Sequence, residues 1–226
     1  MDSRSVRWFA VLDFEATCWP RDGHAPQLAQ EIVEFPTMLY RVVGGEGAAA
    51  AGAGAGAAAA GPGRLELVTE WRAYVRPTTH PELSAFCTEL TGIAQATVDA
   101  ARPLADVLAA HGAWLAAATQ GAPPEQVLFV TCGDWDLKTM LPLELRNKRL
   151  AAPSAAYSRW ANLKREFASA FRVRGREPDM KAMLQLAGLR LEGQHHSGLD
   201  DARNIGRCLE ALWARGRTRL QVRTSG

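Results

Sequence analysis

The chain has 226 residues, of which 47% are hydrophobic and 22% are charged, a composition typical of one soluble globular domain. Its formal net charge of +2 does not by itself indicate nucleic-acid binding, and its four cysteines include no C-x-x-C pair that would predict a zinc site or a disulfide framework. With no apolar run of about 18 residues and no secretory leader, we expect no membrane span and a cytoplasmic location, a nuclear one, or both.

Apolar runs bounded by turn residues predict four strands, at residues 6–15, 31–43, 65–75 and 126–131. Short helices are predicted within 81–101, and longer ones at 103–119, from Asp134 or Asp136 onward, at 160–172, at 180–189 and at 199–214. An Ala/Gly tract at 44–63 has nothing to bury, which predicts a disordered insertion at a hairpin tip. Early hairpins followed by alternating strands and helices predict an α/β fold, a mixed sheet flanked by helices.

Two carboxylates stand at the end of the first predicted strand. Asp13 and Glu15 are separated by one residue, so on a strand their side chains would share a face and repel each other. A divalent cation between them would offset that repulsion. For an isolated Asp-x-Glu pair, a polar strand end that faces solvent is the simpler alternative.

Three more candidates lie further along the chain. Asp136 comes just after the strand at 126–131, where either it or Asp134 could simply cap the next helix. His196 precedes the last predicted helix, and Asp201 lies on that helix's apolar stripe. Each residue has an ordinary structural explanation when it is considered alone.

Together these residues resemble the DEDDh class of 3′→5′ exonucleases, within the RNase H-like superfamily. The order Asp13-x-Glu15, Asp136 and His196-x-x-x-x-Asp201 matches the class, and the histidine five positions before the last Asp marks its h branch. Flanking segments are similar to the Eri-1 family of exoribonucleases over about residues 8–213. These segments are Asp13-Phe14-Glu15-Ala16-Thr17-Cys18-Trp19, Glu31-Ile32-Val33-Glu34-Phe35-Pro36, Tyr74-Val75-Arg76-Pro77, Leu90-Thr91-Gly92-Ile93, Trp135-Asp136 and Gly198-Leu199-Asp200-Asp201-Ala202-Arg203-Asn204-Ile205.

The resemblance implies a fold and an activity. The fold would be a single DEDDh domain over residues 1–226, an RNase H-like mixed five-stranded sheet flanked by helices. The activity would be 3′→5′ hydrolysis of single-stranded RNA, or of an RNA 3′ overhang, to nucleoside 5′-monophosphates. A DNA-directed exonuclease of the same class and a non-catalytic RNA-binding protein on this fold are the alternatives. Thr131-Cys132-Gly133 departs from the His-Asn pair that many members of the class have before the middle Asp.

The resemblance also implies a role for each site residue. Four carboxylates, Asp13, Glu15, Asp136 and Asp201, would hold two divalent cations, and such hard oxygen ligands favour Mg²⁺, with Mn²⁺ as a substitute. The class has an aromatic residue before the middle Asp, as in Trp135-Asp136, which favours Asp136 over Asp134. His196 would be the general base, because an imidazole with a pKa of about 6.5 is largely neutral near pH 7. By the same resemblance, Leu90 and Thr91 would border the pocket for the terminal nucleotide, and the backbone of Ala16 and Thr17 would contact its sugar. The aromatic residues themselves offer four candidates for stacking on bases, for which a position in the core is the alternative: Trp19, Phe35, Phe86 and Trp135.

The stretch from residue 141 to 190 is rich in basic residues. They are Arg146, Lys148, Arg149, Arg159, Lys164, Arg165, Arg172, Arg174, Arg176, Lys181 and Arg190, against Glu144, Glu166, Glu177 and Asp179. This imbalance predicts a face that follows a phosphate backbone, and a solvated helical surface is the alternative.

Overall fold

The computed structural model describes residues 5–20, 30–44 and 63–225. The strands in these ranges are β1 (Trp8–Val11), β2 (Glu15–Ala16), β3 (Ile32–Val43), β4 (Arg64–Arg76), β5 (Arg102–Pro103), β6 (Val127–Thr131), β7 (Arg159–Asn162) and β8 (Arg223–Thr224). The α-helices are α1 (Ala85–Thr91), α2 (Gln95–Asp99), α3 (Leu104–Ala118), α4 (Leu141–Lys148), α5 (Leu163–Ala170), α6 (Met180–Leu186) and α7 (Gly198–Ala214). A π-helical turn, Trp135–Met140, leads directly into α4.

The strands form one mixed sheet in the order β5-β4-β3-β1-β6-β7-β8, with β2 also paired to β3. Strand β1 is antiparallel to β3 and parallel to β6, and β7 continues the parallel set beyond β6. The mixed sheet flanked by helices is therefore confirmed. The predicted number of five strands is too low for the described residues, because β2, β5 and β8 add three strands of two residues each.

Both faces of the central strands are buried, which explains why β1 reads as an unbroken apolar run. Phe9 and Val11 pack in a cluster with α5, α6 and α7. The alternate residues Trp8, Ala10 and Leu12 pack in a second cluster with α3 and α4 on the other face. The end of β1 therefore lies between two helical layers.

Two predicted boundaries are wrong. The first strand is not continuous over 6–15, because β1 ends at Val11 and pairing resumes only at Glu15, in β2 against β3. The helix predicted at 160–172 begins later, because 159–162 forms β7 parallel to β6. Asn162 then caps α5 by accepting a hydrogen bond from the Arg165 amide at 3.3 Å.

The predicted hairpin is confirmed by the antiparallel pairing of β3 and β4, in which Val43 lies opposite Arg64. The Ala/Gly tract that joins them, residues 45–62, lies outside the described residues. Among the helices that the structure describes, none is both long enough and apolar enough to cross a membrane.

Candidate functional site

Three of the predicted carboxylates converge at the end of β1. Asp13 lies in the short segment between β1 and β2, Glu15 lies in β2, and Asp201 lies in the first turn of α7. One carboxylate oxygen from each of the three lies within 4.8 Å of the others. Glu15 and Asp201 are buried, and Asp13 is partly exposed. The fold thus brings together residues that are almost 190 positions apart in the sequence.

Asp136 reaches the same place from the other side of β1. It lies on the π-helical turn after β6, it is only 3% exposed, and its Oδ1 accepts a hydrogen bond from the Phe14 amide at 3.0 Å. Asp136 is not one of the three residues whose oxygens lie within 4.8 Å of one another. Its charge nevertheless raises the pKa of Asp13 more than any other neighbouring charge does.

Asp134, the alternative to Asp136, has other partners. It accepts a hydrogen bond from the Trp160 indole at 2.9 Å and forms an ion pair with Arg223 at 3.0 Å. These contacts hold the π-helical turn against β7 and β8. The geometry therefore favours Asp136 as the residue that faces the cluster.

The carboxylates strongly perturb one another. Burial, followed by the charges of Asp136, Glu15 and Asp201, raises the pKa of Asp13 well above its usual value. Burial and the charge of Asp201 raise the pKa of Glu15 from 4.5 to about 9. Burial also raises the pKa of Asp136 to about 6, although its hydrogen bond from Phe14 acts in the opposite direction.

This donor set fits divalent cations. The cluster offers hard carboxylate oxygens without a thiolate. The nearby cation Lys164 lowers the pKa of Asp13 and of Asp136. A concentration of buried negative charge with so little compensation is costly to fold, and bound divalent cations would remove that cost.

Two adjacent histidines flank Asp201. The His195 Nδ1 lies 3.1 Å from the Asp201 Oδ2 and 3.2 Å from its Oδ1, and the two imidazole rings stack with centroids 3.9 Å apart. The His196 amide donates to the Asp201 Oδ2 at 2.8 Å, and its φ of 68° is in the left-handed region, which non-glycine residues rarely adopt. Burial, and then the charge of His195, lowers the pKa of His196 below 6.5. We did not predict the contact of His195 with Asp201, because the resemblance fixed only the position of His196.

The N-terminus of α7 is anchored by Glu34, which the sequence analysis did not single out as a site residue. This fully buried carboxylate accepts a hydrogen bond from the Gly198 amide at 3.1 Å and pairs with Arg72 at 2.8 Å. A Cβ at Gly198 would lie 3.0 Å from the Asp13 carbonyl oxygen. Close approach at a glycine therefore lets α7 bring Asp201 to Asp13.

Most of the predicted substrate-binding residues lie beside Glu15. Strand β2 contacts α1, because the Cys87 thiol donates to the Ala16 carbonyl at 3.6 Å and the buried Thr91 hydroxyl donates to the Cys87 carbonyl at 2.8 Å. Leu90 is half-buried on the same helix. Thr17 has its amide bonded to the Glu31 carbonyl, and its hydroxyl accepts from the Glu31 amide at 2.9 Å. Ala16 in β2 and Leu90 and Thr91 in α1 thus lie on two elements that contact each other, one of which carries Glu15.

Two predicted aromatic residues have exposed surface. Trp135 precedes Asp136 and is 39% exposed. Trp19 is partly exposed and contacts the His80 ring edge to face, with centroids 5.4 Å apart. An exposed aromatic ring next to buried acidic residues is a surface on which a base can stack.

Comparisons with known proteins agree with this geometry. A family model described as Exonuclease (RNase_T) matches residues 10–209. ERI1 exoribonuclease 3 of Homo sapiens is 38% identical over 92% of this chain and 54% of its own length, and 3'-5' exoribonuclease 1 of Mus musculus is 30% identical over 88% of this chain and 51% of its own length. The chain thus spans about half the length of these curated relatives.

A solved structure of the nuclease domain of 3'hExo, described as a DEDDh family member bound to rAMP, superposes with a TM-score of 0.78 at 27% identity. The match covers 98% of each chain. These relatives confirm the predicted Eri-1-like resemblance, and the family model covers most of the sequence. The chain belongs to the RNase_T exonuclease family.

Proposed function

We propose that this protein is a metal-dependent 3′→5′ exoribonuclease, which removes nucleoside 5′-monophosphates from the 3′-hydroxyl end of single-stranded RNA. The observation that carries the proposal is the convergence of Asp13, Glu15 and Asp201 within 4.8 Å, with Asp136 and two histidines beside them. A non-catalytic protein on the same fold would have no need for such a costly cluster.

The proposed ligands of two Mg²⁺ ions are Asp13, Glu15, Asp136 and Asp201, and Mn²⁺ would substitute. The support is chemical: four carboxylates and no soft ligand suit hard, oxygen-seeking cations. When bound, such ions supply a polarised scissile phosphate, an activated water and stabilisation of the departing 3′-oxygen.

The chain itself contributes a base and a binding surface. His196 takes the proton of the attacking water, and its lowered pKa keeps the ring neutral at pH 7. His195 and the His196 amide fix the orientation of Asp201. The terminal nucleotide binds beside Ala16, Leu90 and Thr91, next to Thr17, and Trp19 and Trp135 stack on bases.

Several arguments support RNA, in single-stranded form or as a 3′ overhang, as the substrate. Two relatives are named as exoribonucleases, and one solved structure that resembles this chain at 25% identity is titled as 3'-end specific recognition of histone mRNA stem-loop by 3'-exonuclease. A pocket for an unstacked nucleotide favours a single-stranded end. Cysteines that are all free thiols are consistent with a cytoplasmic or nuclear location.

The test is a competition between 5′-labelled RNA and DNA strands of equal sequence, in Mg²⁺ and in EDTA. We expect a ladder that shortens from the 3′ end, faster for RNA, and no cleavage in EDTA. Asp13→Asn should nearly abolish turnover, whereas Asp106→Asn, at an exposed carboxylate in the first turn of α3, should not. Faster DNA cleavage would establish the DNA-directed alternative, and binding without cleavage would establish the non-catalytic one.

A further inference from the structure

Among the described cations of the basic stretch at 141–190, Lys164 is the one that is partly buried and has no partner. Lys148 lies 2.9 Å from Glu31 and 2.6 Å from Glu144, Arg165 pairs with Glu177 at 3.0 Å, and Arg159 donates to a backbone carbonyl. Lys164 forms no ion pair or hydrogen bond with any described residue, although it is only partly exposed. It is therefore a cation that the fold itself does not use for pairing.

The Lys164 side chain lies against the backbone at Gly133. Lys164 is the second residue of α5, which begins where β7 ends, next to the end of β6. A Cβ built at Gly133, just after β6, would lie 3.8 Å from the Lys164 Nζ and 3.9 Å from its Cδ and Cε. Gly133 has a φ of +120°, which L side chains rarely adopt. The lysine stem thus lies across bare backbone three residues before Asp136.

The ammonium group lies at one side of the carboxylate cluster. Its charge lowers the pKa of both Asp13 and Asp136. Because Lys164 lies against Gly133, just after β6 and three residues before Asp136, it stands on the Asp136 side of the cluster. Helix α1, beside which the terminal nucleotide is proposed to bind, instead contacts β2.

We propose that Lys164 is a substrate-contacting residue that binds the phosphate immediately on the 5′ side of the scissile linkage. This inference rests on the proposed function, and it takes the strand to run from its last nucleotide, beside α1, past Asp13 towards Asp136. Once divalent cations neutralise the carboxylates, the Lys164 ammonium has no competing anion among the residues that the structure describes, and a phosphate oxygen can become its partner.

The variant Lys164→Met keeps most of the aliphatic stem and removes the charge, whereas Lys164→Arg keeps the charge. The matched control is Lys138→Met, at an exposed lysine on the segment that carries Asp136. The substrate is a short oligouridylate in which the linkage next to the scissile one, on its 5′ side, follows a 2′-deoxy sugar. This linkage is made in two forms, the charged phosphodiester and the uncharged methylphosphonate. Thermal unfolding and circular dichroism of each variant check that it is folded.

We expect Lys164→Met to lower kcat/KM on the phosphodiester by about 10–100-fold, the usual effect of one charge-assisted contact, and Lys164→Arg to restore most of it. The methylphosphonate should slow the wild-type protein and the control by a similar factor, yet cause almost no further loss in Lys164→Met. If the two losses multiply, or if Lys164→Met acts at the normal rate, the lysine does not contact that phosphate and the inference is wrong.

A binding measurement separates this inference from the proposed function. Fluorescence anisotropy of the labelled oligouridylate, with Ca²⁺ in place of Mg²⁺, should show weaker binding by Lys164→Met and a slope of log K against log salt that is smaller by about 0.7. If the wild type cleaves nothing, the proposed function fails, and the anisotropy still decides whether Lys164 contacts phosphate. An unchanged slope would refute the contact even in a fully active enzyme.

Discussion

Glu15→Gln should stabilise the protein when metal is absent. In the folded, metal-free chain, burial and the neighbouring acids raise the pKa of Glu15 from 4.5 to about 9, so this group favours folding fully below pH 4.5 and loses that contribution as the pH rises towards 9. Between pH 4.5 and pH 7 lie about 2.5 pH units, and each unit lowers the free energy of unfolding by about 1.4 kcal/mol. A side chain that is neutral at every pH should therefore raise the free energy of unfolding by about 3.5 kcal/mol at pH 7.

The assay is urea unfolding in EDTA at pH 4.5 and pH 7, with thermal melting as a second readout. The gain corresponds to roughly 7–14 °C in Tm for a domain of this size at pH 7, and it should vanish at pH 4.5. Adding Mg²⁺ should reverse the order, because the wild type then gains binding free energy that the variant has lost. Glu89→Gln, at an exposed position of α1, is the control. A Glu15→Gln protein that is no more stable than the wild type in EDTA at pH 7 would refute the description of the cluster as mutually repelling.

Three further predictions follow from the same contacts. Lys148→Met should lower the free energy of unfolding by about 3–5 kcal/mol in urea titrations, because it leaves Glu31 and Glu144 buried without their cation, and an effect below that of Lys138→Met would contradict this. His196→Ala should slow single-turnover cleavage by about 10²–10⁴-fold while Mg²⁺ still raises its Tm, and a normal rate would exclude it as the base. Because burial and the neighbouring histidine lower the pKa of His196, the pH profile of kcat should fall only below pH 6.5, and an acid limb above that value would be inconsistent with the assignment.

The sequence predicted secondary structure well where a strand is buried on both faces, and also where a residue's contacts are with residues nearby in the chain. The apolar runs that became β1 and β6 were placed well because both faces of these strands are covered. The run over 159–162 was misread because Trp160, Leu163 and Phe167 are spaced as on one helix, whereas Asn162 ends a strand and caps α5. Only parallel pairing with β6, a non-local contact, decides between the two.

The same distinction applies to the site. The Asp13-x-Glu15 pair and the spacing from His196 to Asp201 are short sequence motifs, so they could be recognised by their resemblance to a known family. Neither Glu34 nor Lys164 has such a pattern: a glutamate in a strand and a lysine in a basic helix are ordinary until the fold sets them beside Gly198 and Gly133. Their roles depend on contacts between distant segments of the chain, which composition and periodicity do not reveal.

The structure also bears on whether the chain has kept its chemistry. A protein that used this fold only to bind RNA would fold better without Glu15, since its carboxylate destabilises the metal-free state at neutral pH. It would have no reason to hold His196 in a left-handed conformation beside Asp201. Both costs fall on residues that are proposed to bind metal and to transfer the proton, whereas the buried Glu31 and Glu144 are paired with Lys148. Local destabilisation confined to one cluster within a well-paired core is the expected signature of a working active site.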